Sequence, residues 1–351
     1  MAEGILPPPE EWNLPMLTFT LRHALCVTSL AFVSVTHASS FDCASAASPV
    51  EKAICADPYL SDLDEKLGAV WKSTLAKVAD PTALKASQRQ WLKNRSACGQ
   101  EPACLRRDYL MRLTELEYAT KPFNWNATWQ RIPGTPSSGA TLNTKQLDTT
   151  HISFDISVAE GGNSGDLDGV ALLKGSQANY VEGQCAVSFT AVNGILNVTQ
   201  DGSDGECSAG MGVYYSGTYV ASDQPLQLDY DLLSLGLARS SQENAALHAL
   251  LKNDYQRLVD LSGSMMEGDP SADVPGSRIV RMWVRGLGAT SILMSTPDAR
   301  LWVMLMTYDV QGNPRVRYYT NVSQWKGRLP DVMQAWHKDT YDGTLPLDFM
   351  P

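Results

Sequence analysis

The sequence predicts a multidomain α+β protein: a small disulfide-stapled helical domain, then a small antiparallel β barrel or sandwich, then an α+β domain. Three observations carry this expectation. The spacing of apolar residues changes along the chain from a helical period to short alternating runs and then to a mixture of the two. Charge is partitioned in the same way: residues 39–122 carry 12 basic and 11 acidic side chains, residues 123–235 carry 3 and 12, and residues 236–351 carry 12 and 12. The cysteines form an even set of six once residues 1–38 are set aside, as a disulfide framework requires.

With 351 residues, 44% hydrophobic and 19% charged, the chain is long enough for two or three domains, each with its own core. A net charge of −10 argues against broad nucleic-acid binding, which needs a basic face to displace counterions. The one long apolar run near the start, Ala24 to Val35, is too short to span a bilayer, which takes about 20 residues. Arg22 precedes it, and the small residues Thr36 and Ala38 follow at the spacing of a cleavage site, so residues 1–38 are expected to be a secretory signal peptide cut after Ala38. Glu3, Glu10 and Glu11 do not suit such a leader, which makes Met16 the expected start. Cys26 falls inside the leader and leaves Cys43, Cys55, Cys98, Cys104, Cys185 and Cys207 to pair in an exported, oxidised chain. No lipidation box precedes Cys43, so a periplasmic or secreted protein with no membrane span after cleavage is expected.

In residues 39–122, Ser48-Pro49-Val50-Glu51 is a capping box with proline at the first helical position, where its missing N–H costs nothing. Asp57-Pro58 and Asp80-Pro81 repeat the cap-then-proline signal. Leu60, Leu63, Leu67, Trp71, Leu75 and Val78 line one helical face; Leu84, Gln88, Trp91 and Leu92 mark a third helix, and Leu105, Tyr109, Leu113 and Leu116 a fourth.

Residues 123–235 read differently. Lys121-Pro122 ends the helices and Pro133 to Gly139 reads as loop. Strands are expected at 151–158, 169–173, 185–191, 195–200 and 213–220, separated by glycine-rich turns. Cys185 and Cys207 flank one strand and turn and would pair if the helical domain closes its own four. In residues 236–351 a helix is expected over 243–261, strands over 279–284, 290–294, 301–308 and 316–320, a hairpin turn at Gln311-Gly312-Asn313-Pro314, and a final helix from Leu329-Pro330.

The helical segment resembles the N-terminal domain of the LprI-like lysozyme-inhibitor family of exported bacterial proteins. The resemblance rests on Phe41-Asp42-Cys43, Pro49 to Cys55, Leu63-Asp64, Gln88-x-x-Trp91-Leu92-x-x-Arg95-x-x-Cys98, and Cys104 with Tyr109 and Arg112, spanning about residues 41–119. Four cysteines allow three pairings; Cys43–Cys55 and Cys98–Cys104 are favoured because each closes a short loop beside a helix terminus. Further on, Lys174 to Tyr180 resembles the Ser-Gly-x-x-Tyr loop of membrane-bound, barrel-type lysozyme inhibitors, with Gln177 where that motif has glycine. This makes Lys174, Ser176 and Tyr180 the candidate partner-binding residues. The last domain is similar in element order to Ivy-type inhibitors but lacks their cysteine-bounded Lys-Pro-His-Asp loop.

Catalytic constellations are missing from the sequence. His151, His248 and His337 stand apart from one another, and neither a zinc motif, a phosphate loop nor a Gly-x-Ser-x-Gly elbow occurs. Ser323-x-x-Lys326 lacks its Lys-Thr-Gly companion. The carboxylates of Asp166-Leu167-Asp168 and of Asp201 to Glu206 read as acidic surface turns rather than a glycosidase pair or a calcium loop. No catalytic residue, metal or cofactor is therefore expected. The resemblance implies a non-catalytic inhibitor of a basic c-type or g-type lysozyme, blocking it sterically and electrostatically. The competing expectation is an envelope protein-interaction module with a non-lysozyme partner.

Overall fold

The computed structural model describes residues 40–351 apart from Ala289, Asp342 and the side chain of Tyr341. The expected leader, its cut after Ala38, the Met16 start and Cys26 lie outside the described residues.

Four helices come first: α1 (Pro49–Ala56), α2 (Pro58–Leu75), α3 (Pro81–Arg95) and α4 (Pro102–Tyr118). The first three start as their sequences dictate. Ser48 accepts from the Glu51 amide while the Glu51 carboxylate accepts from the Ser48 and Ala47 amides. Asp57 caps α2 through the Leu60 amide, and Asp80 caps α3 through those of Thr82 and Ala83. Ile54, Leu60, Leu84, Leu105, Tyr109 and Leu116 fill the space between them. Disulfides Cys43–Cys55 and Cys98–Cys104 fasten the short turn before α1 to its last turn, and the end of α3 to the first turn of α4. A bundle this small gains from such covalent ties because its core alone is thin.

Eight antiparallel strands come next: β1 (Ala127–Arg131), β2 (Ser138–Gln146), β3 (His151–Glu160), β4 (Asn163–Lys174), β5 (Gln177–Glu182), β6 (Cys185–Val192), β7 (Ile195–Asp201) and β8 (Gly217–Ala221). They pair in chain order, and β8 returns to β1 to close a barrel. Alternation places Ile152, Phe154, Ile156 and Val158 inside while Asp155 and Ser157 face water. Trp129, Phe154, Phe189, Tyr215 and Tyr219 fill the interior, so its centre is packed side chain. Cys185 is bonded to Cys207, which holds the 202–216 crossover against the start of β6. The expected strand over 213–220 is shorter: only 217–221 pairs, because Val213 and Tyr215 turn inward to plug the barrel end. The loop expected over 133–139 gives way to β2 at Ser138, and Asp166 and Asp168 stand on β4 rather than in a turn, alternating with buried Gly165 and Leu167.

The last region holds α5 (Ser241–Leu251), α6 (Tyr255–Asp260), β9 (Ser264–Gly268), β10 (Arg278–Trp283), β11 (Thr290–Ser295), β12 (Leu301–Tyr308), β13 (Pro314–Thr320), α7 (Asp331–Tyr341) and β14 (Leu347–Phe349). The sheet order is β14-β13-β12-β11-β10-β9, antiparallel except for the β13–β14 pair. β12 is buried on both faces. Leu301, Val303 and Leu305 meet α5, α6 and the 230–238 segment, whereas Trp302 and Met304 meet Trp325, Met333 and Trp336 on the α7 side. This is why its sequence is a continuous apolar run rather than an alternating one. The helix expected over 243–261 is broken at Lys252, which takes φ 50°, and a 3-10 turn over Lys252–Asp254 separates α5 from α6.

Contacts tie the helices to the later parts of the chain. Arg106 of α4 donates to the Asp57 carboxylate and to the carbonyl of Leu233. The β6–β7 turn lies on the end of α4, where the Gly194 amide donates to the Ala119 carbonyl at 3.2 Å. A Cβ at residue 194 would meet the carbonyl oxygens of Lys121 and Tyr118 at 2.4 and 2.5 Å, so only glycine fits this approach.

Candidate interaction site

Polar side chains inside the helical segment serve one another. The buried Asp64 carboxylate accepts from the Ser40 amide at 2.7 Å, the Ser40 hydroxyl at 2.6 Å and the Tyr109 hydroxyl at 2.6 Å. Arg95 donates to the same Tyr109 oxygen and lies over the Trp91 ring, 5.0 Å from its centroid. Arg112 reaches Gln88 at 2.8 and 3.0 Å, Ser87 at 3.1 Å, and Glu115. Gln88, Arg95 and Arg112 are thus spent on internal pairing and leave little for a partner. Asp108 is one exception, beside Trp91 Nε1 and the Nε atoms of Arg95 and Arg106: one of its oxygens is buried without a hydrogen bond, and burial, with Glu115 adding to it, pushes its carboxyl up to about 6.

The barrel presents a different surface. Lys174 ends β4, Ser176 sits in the two-residue turn with Gly175, and Tyr180 is on β5, so the three candidate residues share one hairpin. Lys174 and Ser176 are exposed. The Tyr180 ring instead leans inward on Phe154, with 5.0 Å between ring centroids, and occupies the space a Cβ at Gly169 would need. Its hydroxyl donates to Glu182 at 2.5 Å, which holds the phenol up at about 12. Lys174 and Tyr180 therefore point to opposite sides of the hairpin. The residues that share the outer face with Lys174 are Asp166, Asp168, Val170 and Leu172, signalled in the sequence by their alternation with Leu167, Ala171 and Leu173.

The second acidic stretch is a turn held by its own backbone. Asp204 accepts from the Gly205 and Gly212 amides, which holds its carboxyl low, and Glu206 accepts from the amide and hydroxyl of Ser203. Among the described residues no three His, Cys, Asp or Glu side chains converge as metal ligands would. The histidines also stay apart: His151 pairs with Asp148, His248 stacks on Tyr255, and His337 contacts the Leu345 carbonyl. No helix among the described residues is long and apolar enough to cross a membrane.

A disulfide-tied helical segment with a hydrogen-bonded polar cluster is followed by a closed antiparallel barrel and an α+β region. Residues 43–120 match the family described as "Lysozyme inhibitor LprI". The proteins named "Lipoprotein LprI" from Mycobacterium bovis and Mycobacterium tuberculosis are each 34% identical to this chain over 89 residues, covering 24% of the chain and 45% of the relative. The chain thus spans just under half the length of the curated relatives it matches. No solved structure matches the chain.

Proposed function

We propose that this protein is a non-catalytic inhibitor of a basic muramidase, acting outside the cytoplasm by covering the enzyme's cleft and meeting its positive charge with carboxylates. The observation that carries the reading is the match of residues 43–120 to a lysozyme-inhibitor family. The charge of residues 123–235, with 3 basic against 12 acidic side chains, supports it, since a net negative field speeds encounter with a cationic partner. Residues 1–38 are taken as the exporting leader, with 39–122, 123–235 and 236–351 as the modules of the periplasmic or secreted protein. Residues upstream of Ser39 at the N-terminus of the exported protein would refute the cut.

A second reading, an envelope interaction module for a partner other than lysozyme, is favoured by the extent of the family match, which leaves everything after residue 120 outside it. One assay separates the two. Lysis of peptidoglycan-walled cells by c-type and g-type lysozymes is followed while the purified protein is titrated in, at low and at physiological salt. Dose-dependent protection that weakens with salt is expected from the inhibitor. Absence of protection against both enzymes would refute inhibition and leave the second reading.

A further inference from the structure

We propose that the outer wall of the barrel formed by β3, β4 and β5 is the docking surface for a basic protein, and that this wall, not the family-matched helical segment, makes the contact. The proposal rests on the inhibitor reading and adds to it where the partner sits.

The wall has an apolar centre. Val170, Leu172 and Val181 point away from the barrel core and are 52%, 58% and 71% exposed. Register keeps them together: Leu172 lies opposite Asn179, two residues before Val181, and Val181 lies opposite Ala186. A sheet face turned to water normally carries polar residues, so three large apolar side chains grouped on one part of it define a contact patch. Carboxylates border the patch on the sides away from Lys174, which follows Leu172 at the hairpin end of the same face. Asp166 and Asp168 precede Val170 on the same face of β4, Asp155 lies opposite Asp168, and Asp201 lies opposite Ala186. An apolar centre inside a charged rim is the ordinary anatomy of a protein interface.

The charges also carry the mark of an absent partner. Asp155 and Asp168 face each other directly across the β3–β4 pair, an arrangement that destabilises a sheet. Asn143 reaches Asp155 only at 3.4 Å, Ser157 satisfies Asp166, and none of these aspartates joins an ion pair among the described residues. Over residues 127–221 there are nine carboxylates and three basic side chains, one of which, Arg131, is buried against Glu160. A cationic surface with an apolar spot would relieve the repulsion and cover the patch together, which fixes the occupant's chemistry. In the helical segment the arginines pair with Asp57, Asp64 and Glu115, and among its described residues one large apolar side chain, Leu92, is exposed.

The test uses the whole protein and hen-type lysozyme as the basic probe, with association and dissociation rates measured at two salt concentrations beside the lysis assay. Asp155→Lys with Asp168→Lys is expected to weaken binding at least about tenfold, mainly through slower association at low salt. Val170→Ser with Val181→Ser is expected to speed dissociation, and circular dichroism checks that each variant folds. Glu65→Lys with Glu117→Lys makes the same charge change on exposed helical positions and is expected to cost less than about threefold, by long-range field alone. Equal losses from the wall and helix reversals, or wall variants that inhibit like the parent, would overturn the docking surface while leaving the inhibitor intact. A parent protein that neither binds nor inhibits the enzyme would overturn both.

Discussion

Replacing Asp64 by alanine should destabilise the helical segment about as much as truncating one of its buried leucines. The side chain is 5% exposed and receives three hydrogen bonds, two from Ser40 and one from Tyr109, with Arg95 3.9 Å away. Ser40 is exposed, so water can replace its lost acceptor at little cost. Tyr109 and Arg95 cannot be rescued in this way. The Tyr109 hydroxyl is buried, and the Nε of Arg95 already lacks a partner. Removing one member of a buried charged cluster costs about 3–5 kcal/mol, and the re-solvated Ser40 places this case near the lower end, about 3 kcal/mol. With a urea dependence of about 3 kcal/mol per molar, the unfolding midpoint should fall by about 1 M. Asp64→Asn keeps an acceptor oxygen and should lose about half as much. Because Tyr109 acts through the same carboxylate, Asp64→Ala with Tyr109→Phe should cost little more than Asp64→Ala alone. Urea titrations of the full chain, followed by tryptophan fluorescence and far-ultraviolet circular dichroism, measure all three. A midpoint change below about 0.3 M, or strictly additive losses, would refute the idea that this carboxylate organises the cluster.

The remaining predictions concern protons and covalent ties. Burial raises the Asp108 carboxyl to about 6 in the folded protein, above its ordinary value near 4, so the native state holds that proton more tightly than the unfolded chain. Its contribution is therefore complete below about pH 4 and is lost as pH rises through about 6. Asp108→Asn, neutral throughout, should unfold at higher urea than the parent at pH 7 and match it at pH 4; a gap that does not change with pH would refute the account. The Cys185–Cys207 bridge closes a 22-residue separation, so Cys185→Ser with Cys207→Ser should cost about 3 kcal/mol by loop entropy. Thermal unfolding checks this, and reductant should bring the parent toward the variant.

Where backbone signals are local, the sequence revealed the fold. Ser48, Asp57 and Asp80 each precede a proline, and each caps a helix through its own side chain. β12 and β13 were visible in their apolar runs. The strands hidden from sequence reading are short, do not alternate in burial, or, like β2 and β5, alternate with too few large apolar residues to show it. β1 ends in three successive buried residues, including Gln130 and Arg131, the latter held by Glu160 and the Tyr214 carbonyl. β14 has three residues and exists only through its parallel pairing with β13. The break at Lys252 left no trace, since the apolar spacing runs on through it. The candidate hairpin was found through Lys174, Ser176 and Tyr180, but which side of it faces water depended on the barrel closing. Asp166 and Asp168 looked like a turn because glycines flank them, and only pairing with β3 shows that they belong to a strand.

Chains made from one end to the other usually complete their first domain before the next emerges. This one is held back by Arg106. The guanidinium that secures Asp57 at the head of α2 also requires the carbonyl of Leu233, which is synthesised 127 residues later. Until that segment arrives, an arginine destined for burial faces solvent, just as the core of the bundle waits for Ile195 of β7. The helices can form early, but their last seam is sealed only when the barrel has been made and the chain returns across α4. A nascent chain halted within the barrel would thus display a helical bundle whose Arg106–Asp57 pair still lies open to water.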